Sequence, residues 1–370
     1  MSAIPDRLEA RMIAHAAEQG IPLSGSLELS PLCNMNCDMC YVRLSKQEQQ
    51  AQGRLRTVEE WLRLAGELKA AGTVFLLLTG GEPLLYPGFR KLYLRLQAMG
   101  FILTINTNGT LLDETMADFL AANRPRRVNV TLYGCSEETY QRLCHYGPGY
   151  TQAVKAIRLL RQRGVDVKVN GSLVRENRTE AEDLLALAER LDAVVNIDTY
   201  MYPAVRERGR PYDLQARLTP EQAAEARVLL YKKTHPPYEF RQLAEETLAA
   251  IASTVPGDPN EECIRCQAGR SSFTISWQGY LRPCVMQTAP GYPVFELGFA
   301  GCWLQLKQWT EQARLCPDCA GCQYRTICSR CAASCLHESG SLTGKPEYLC
   351  RMSRHYVALL REAAAEGHRG

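Results

Sequence analysis

The sequence predicts an α/β fold: a partial (β/α)6 barrel of the TIM type, followed by a cysteine-rich C-terminal auxiliary domain. Two observations predict it. Between residues 25 and 235, apolar runs of four to eight residues alternate about six times with amphipathic helical segments, the pattern of a parallel sheet covered on both faces. Farther on the composition changes, with 11 of the 16 cysteines lying between Cys263 and Cys350.

In order, residues 1–24 read as a helical extension whose Asp6, Arg7, Glu9, Arg11 and Glu18 exclude a secretory signal. The core, 25–235, offers strands before Ser30 and over the stretches Thr73–Pro83, Phe101–Thr110, Arg127–Gly134, Asp166–Val174 and Val194–Tyr200. Helical patterns separate them, and a further helix spans about Pro220 to Lys233. Residues 236–262 form a linker with a bridging helix near Arg241 to Ala252, ending at Pro256-Gly-Asp-Pro259. The auxiliary domain is 263–350, and 351–370 close the chain as a helix.

At 370 residues and 46% hydrophobic the chain suits a two-domain globular enzyme. The 43 basic and 40 acidic residues leave a net charge of +3, too small to argue for nucleic acid. No apolar run approaches the roughly 18 residues of a membrane span, so a cytoplasmic location is expected. Arg206, Arg208 and Arg210 sit in a charged, proline-rich loop, as solvated surface or as a dock for an acidic peptide segment.

Cys33, Cys37 and Cys40 supply three thiols within eight residues, directly after the first strand. A 4Fe-4S cluster normally takes four cysteinates, so three leave one iron open to another ligand. A zinc site would want a fourth protein ligand; the next cysteine is Cys135, and His15 lies in the N-terminal helix. The second strand ends in Gly80-Gly81-Glu82-Pro83, where glycines let backbone approach a ligand and Glu82 can accept from a cationic amine. These residues, with Asn108 and Thr131, fall at the C-terminal ends of strands, where parallel barrels place their chemistry.

The C-x3-C-x2-C loop, with Met39 before its last cysteine, resembles the signature of the radical S-adenosylmethionine (SAM) enzymes. The resemblance implies that Cys33, Cys37 and Cys40 hold a catalytic 4Fe-4S cluster. SAM's amino and carboxylate groups would chelate the open iron, and one electron would cleave its sulfonium to a hydrogen-abstracting 5'-deoxyadenosyl radical. It implies SAM contacts from Met39, Tyr41, the Gly80, Gly81, Glu82 and Pro83 motif, Asn108 in Thr-Asn-Gly, and Thr131, where the family usually has serine. Arg142 is the nearest candidate for the SAM carboxylate, one residue out of register. Asn177 matches an asparagine often found on that rim, or caps the helix beginning near Thr179.

The C-terminal pattern is Cys263-x2-Cys266, a hairpin over Ser272–Cys284, then Cys316-x2-Cys319-x2-Cys322-x5-Cys328-x2-Cys331-x3-Cys335, and Cys350. It resembles the SPASM extension of peptide-modifying radical SAM enzymes. That implies two auxiliary 4Fe-4S clusters, one on Cys263, Cys266, Cys284 and Cys335 and the other on Cys319, Cys322, Cys328 and Cys350. Cys316 or Cys331 remains open as a replacement ligand, and Cys302 is left over. Zinc is the rival metal, since soft thiolates suit both; disulfides would require an oxidising compartment. Metal binding would drive this segment's folding. Cys135 and Cys144 read as small buried hydrophobes, Cys135 near the rim; His145, Tyr133 and Tyr140 read as packing or surface, and Tyr200 to Tyr202 as cleft lining.

The resemblance implies an oxidoreductase acting on a peptide or protein side chain, forming a thioether or carbon-carbon crosslink on a ribosomal precursor peptide. The alternatives are a small-molecule substrate, or formylglycine formation, against which stands Val285 where that group has aspartate. A non-catalytic iron-sulfur or zinc protein is the third reading. Expected partners are the peptide or protein substrate and an electron donor such as flavodoxin or ferredoxin; with 32 residues before Cys33, leader recognition would fall to the core itself or to a separate leader-peptide-binding protein.

Overall fold

The computed structural model describes residues 7–203, 216–258 and 263–366. Arg206, Arg208 and Arg210 lie outside the described residues.

The chain opens with helix α1 (Arg7–Gln19) and strand β1 (Ser24–Glu28). After the cysteine loop come α2 (Lys46–Gln52), α3 (Val58–Ala70), β2 (Phe75–Thr79), α4 (Phe89–Ala98), β3 (Ile102–Thr107), α5 (Glu114–Ala122) and β4 (Arg127–Leu132). Then follow α6 (Glu137–Cys144), α7 (Gly149–Gln162), β5 (Val167–Ser172), α8 (Ala181–Arg190) and β6 (Val194–Asp198). Two helices, α9 (Pro220–Thr234) and α10 (Pro237–Ala252), lead to β7 (Ser272–Ile275), β8 (Tyr280–Arg282) and β9 (Tyr292–Pro293). The rest is α11 (Val294–Leu297), α12 (Phe299–Gln312), α13 (Ala332–Ser339) and α14 (Glu347–Glu366).

Strands β1 to β6 pair in parallel in sequence order and do not close. Alternation decides the two faces. In β2 to β4, Leu76, Leu78, Leu103, Ile105, Val128 and Val130 are buried against the helices, where Trp61, Leu64, Leu92 and Tyr93 meet them. The residues between them, among them Thr79, Asn106, Asn129 and Thr131, face the lumen half-buried, and Asn129 donates to Asn106 at 2.7 Å. The sequence periods therefore placed all six strands, and the helix starts follow local chemistry: Thr57 with Glu60 and Thr219 with Gln222 form capping boxes on α3 and α9.

The sheet continues past the expected domain boundary. β7 pairs in parallel with β1, Gly25 opposite Phe273, and carries the antiparallel β8 and β9 on its far side. A Cβ at Gly25 would stand 2.4 Å from the Phe273 ring, so the glycine makes room for that ring. Cross-ties reinforce the join: Arg56 donates to Gln278 O at 2.6 Å, Phe299 N to Glu67 at 2.6 Å, and the Trp303 indole to Gly20 O at 2.8 Å. The bridging helix α10 begins at Pro237 and packs, with α9, against α14. No described helix is long and apolar enough to cross a membrane.

Candidate active site

The loop after β1 is held from two sides. Leu44 N donates to Pro31 O on one side; on the other, Asn36 N and Asp38 N donate to Cys144 O and Leu143 O at the end of α6, each at 3.0 Å. His145, in the left-handed conformation at φ 53°, ends α6 and pairs with Asp38 at 2.7 Å. Backbone amides point at two of the sulfurs: Met35 N lies 3.4 Å from Cys33 Sγ and Arg43 N 3.3 Å from Cys40 Sγ. Asn108 Nδ2 adds a contact to Cys33 Sγ at 3.5 Å.

The three thiols share a cavity of about 220 Å³ with Met35, Met39, Tyr41, Val42, Thr79, Gly80, Gly81, Asn106, Thr107, Asn108, Thr131, Tyr133, Ser172 and Met201. Burial and the neighbouring Glu82, Cys40 and Cys37 push the Cys33 thiol up to about 12, and Cys37 is raised well above the usual thiol range beside Cys144. Thiols so placed stay protonated until a cation draws the proton off.

Of the residues expected to meet a ligand, Met39, Tyr41, Gly80, Gly81, Asn108 and Thr131 line this cavity with the three cysteines. Glu82 does not. Its fully buried carboxylate accepts from Leu84 N at 3.0 Å, Thr107 Oγ1 at 2.8 Å and Asn108 N at 2.8 Å. It stitches the end of β2 to the end of β3 behind Thr107 and Asn108, and burial pushes it up to about 7. Pro83 sits at the first position of a 3-10 turn, also buried. The glycines have a nearer steric reason than a ligand: a Cβ on Gly80 would lie 2.3 Å from Ser30 O, and one on Gly81 2.3 Å from Leu32 O. Both carbonyls accept from this strand end, Gly81 N to Ser30 O at 2.7 Å and Glu82 N to Leu32 O at 2.9 Å.

Arg142 stands away from the cavity, paired with Glu138 at 2.7 Å one turn back on α6. Asn177 is buried and does not line the cavity; it stands at the N-cap position of the 3-10 turn Arg178–Glu180, where its side chain makes no capping bond. Its amide donates to Tyr133 O at 2.9 Å and Ser172 O at 3.0 Å, and its oxygen accepts from Val174 N at 2.8 Å, tying the ends of β4 and β5. Tyr133, expected only to pack, lines the cavity and bonds to Cys37. The signal available was its place two residues after Thr131, just past the C-terminal end of β4 and on the same alternating face. Cys144 is buried against Cys37, and Cys135 is turned toward Glu180, which accepts from its N–H.

The C-terminal cysteines divide by position. Cys319, Cys322, Cys328 and Cys350 line one cavity of about 330 Å³ together with Arg325, Arg330, Lys345 and Arg354. Cys284 has Cys331 and Cys266 in electrostatic reach, and Tyr202 faces all three. Cys335 lies inside α13, fully buried against Cys316 and Cys319. Cys302 is buried in α12.

Residues 27–188 match the family model of the radical SAM superfamily. The chain carries a radical SAM domain. The AdoMet-dependent heme synthase of Methanosarcina barkeri is 24% identical over 332 residues, 87% of this chain and 94% of that protein. The PqqA peptide cyclase of Rhodopseudomonas palustris is 25% identical over 377 residues, 95% and 92% of the two chains. The fold matches Streptococcus suis SuiB at TM-score 0.66 and 15% identity, over 95% of this chain and 84% of that one. SuiB has also been solved with S-adenosylmethionine and with its precursor peptide SuiA. The family's cofactors, SAM and a 4Fe-4S cluster, fit a cavity that carries three thiols on one wall and strand-end polar groups on the other.

Proposed function

We propose that this radical SAM domain cleaves SAM reductively and abstracts hydrogen from a peptide or protein side chain. The single observation that carries the reading is the cavity in which Cys33, Cys37 and Cys40 face the C-terminal strand ends of an open barrel. When bound, the cluster and SAM supply the 5'-deoxyadenosyl radical. The chain's own part is to hold the loop against α6, to aim the Met35, Arg43 and Asn108 N–H groups at the cysteine sulfurs, and to offer Asn106, Asn108, Thr131 and Ser172 as polar wall. A peptide substrate is supported by likeness along nearly the whole chain to a peptide cyclase and to SuiB. A small molecule is the second reading, favoured by the heme synthase relatives.

The C-terminal region reads as SPASM-type, with two auxiliary clusters. Cys319, Cys322, Cys328 and Cys350 hold one in their shared cavity, where four cationic side chains suit an anionic centre. Cys266, Cys284 and Cys331, with Cys263, hold the other; Cys331, within reach of Cys284 and beside Tyr202, takes the place first given to Cys335, which is fully buried with Cys316 and Cys319. Zinc is the rival metal at both places, since soft thiolates suit both metals.

The test is anaerobic reconstitution with iron, sulfide and dithionite-dependent 5'-deoxyadenosine assays. Wild type should hold about twelve irons. A C33A/C37A/C40A variant should hold about eight and release no 5'-deoxyadenosine, C331A should lose about four, and C335A should keep the full set. SAM cleavage by the triple variant would sink the assignment of the catalytic loop.

A further inference from the structure

Cys331 occupies the N-cap of the eight-residue helix α13. Its sulfur accepts from Ser334 N at 3.4 Å, while Ser334 Oγ accepts from Cys331 N at 2.8 Å. The Tyr202 hydroxyl stands 3.4 Å from the same sulfur.

Tyr202 reaches it from a segment 129 residues earlier in the chain. It follows β6, and its chain neighbour Met201 lines the three-thiol cavity, so one dipeptide touches both groups of cysteines. Its ring is fixed edge-on between Tyr200, 4.9 Å away at 63°, and His337, 6.4 Å away at 82°. Tyr200 is anchored in turn, donating to Glu338 at 2.8 Å, and Glu338 pairs with Arg217 at 2.7 Å, both side chains under a tenth exposed. Arg217 lies over the Tyr348 ring at 4.1 Å.

We propose that Tyr202 is a positioning residue for the auxiliary cluster on Cys331, its hydroxyl donating to the Cys331 sulfur and holding that cluster's reduction potential up. The inference rests on the auxiliary-cluster reading above. Reduction adds negative charge that spreads onto the cysteine sulfurs, so a donor at a sulfur stabilises the reduced state more than the oxidised one. Removing the hydroxyl while keeping the ring withdraws that preference without disturbing the edge-on packing.

The experiment is a potentiometric titration, followed by electron paramagnetic resonance, of the reconstituted full chain carrying C33A/C37A/C40A so that only auxiliary signals remain. Tyr202→Phe should retain its iron and move one auxiliary potential to a more negative value while the other stays. Tyr200→Phe, which removes a hydroxyl from the same network but away from sulfur, should leave both near their starting values. Equal potentials with and without the Tyr202 hydroxyl, or an equal shift from Tyr200→Phe, would overturn the proposal. A parent chain without auxiliary iron would instead overturn the reading beneath it, and with it this inference; C331A retaining both auxiliary signals would overturn the assignment of Cys331 as a ligand, and this inference with it, while leaving the two-cluster reading in place.

Discussion

Glu82 accepts three hydrogen bonds inside the protein and, among the described residues, has no cationic side chain paired with it. Each donor left unmatched in a buried site costs about 1–3 kcal/mol. Glu82→Ala strands the amides of Leu84 and Asn108 and the Thr107 hydroxyl together, so it should lower stability by several kcal/mol. Glu82→Gln keeps one acceptor oxygen and turns an NH2 group toward a donor, and should fall between. Thermal unfolding of the three proteins checks the order. Were the carboxylate reserved for the amine of a ligand, Glu82→Gln would weaken SAM binding and leave the melting temperature unchanged.

The joint between β2 and the cysteine loop depends on backbone contact rather than side chains. Gly81 has ordinary conformational freedom to spare, yet its hydrogen atom faces Leu32 O where a methyl would overlap at 2.3 Å. Gly81→Ala should therefore push the loop off the strand end, costing about 1–3 kcal/mol in the manner of other overpacked sites, and should lower the iron retained by the Cys33, Cys37 and Cys40 loop in a reconstituted chain. Full iron content with unchanged melting would show the contact to be dispensable. This element also shows what a sequence can and cannot carry. The six parallel strands were legible because burial on alternate positions follows from local period, and the three thiols because their spacing is local. The reason for the glycines was not: Ser30 and Leu32 approach them only through the sheet. The contacts of Arg142 and Asn177 were not legible for the same reason, since a residue's direction off a helix or rim is decided by partners such as Glu138 and Tyr133 O that spacing does not name.

At the scale of the molecule, the cysteine-rich region is not an appendage to the barrel. Cysteine density marked a boundary near residue 262, but the four-residue strand β7 is too short to announce that it pairs with β1, about 250 residues earlier, and the register is non-local. Phe273 is the wedge of this join, 2% exposed, with Phe299 at 5.0 Å and Trp303 at 6.0 Å on one side and Gly25 on the other. Without β7, β1 becomes an open edge with its apolar partner gone, the arrangement that invites strand-to-strand association. Two consequences separate a fused sheet from two tethered domains. Phe273→Ala should cost about 3–5 kcal/mol, as for other buried aromatic deletions, and the loss should appear in the unfolding of the whole chain as one transition. A fragment ending at residue 262 should aggregate or melt well below the full chain prepared without auxiliary metal. If the fragment instead melts at the full chain's temperature and still cleaves SAM, the barrel is self-sufficient and β7 only decorates its edge.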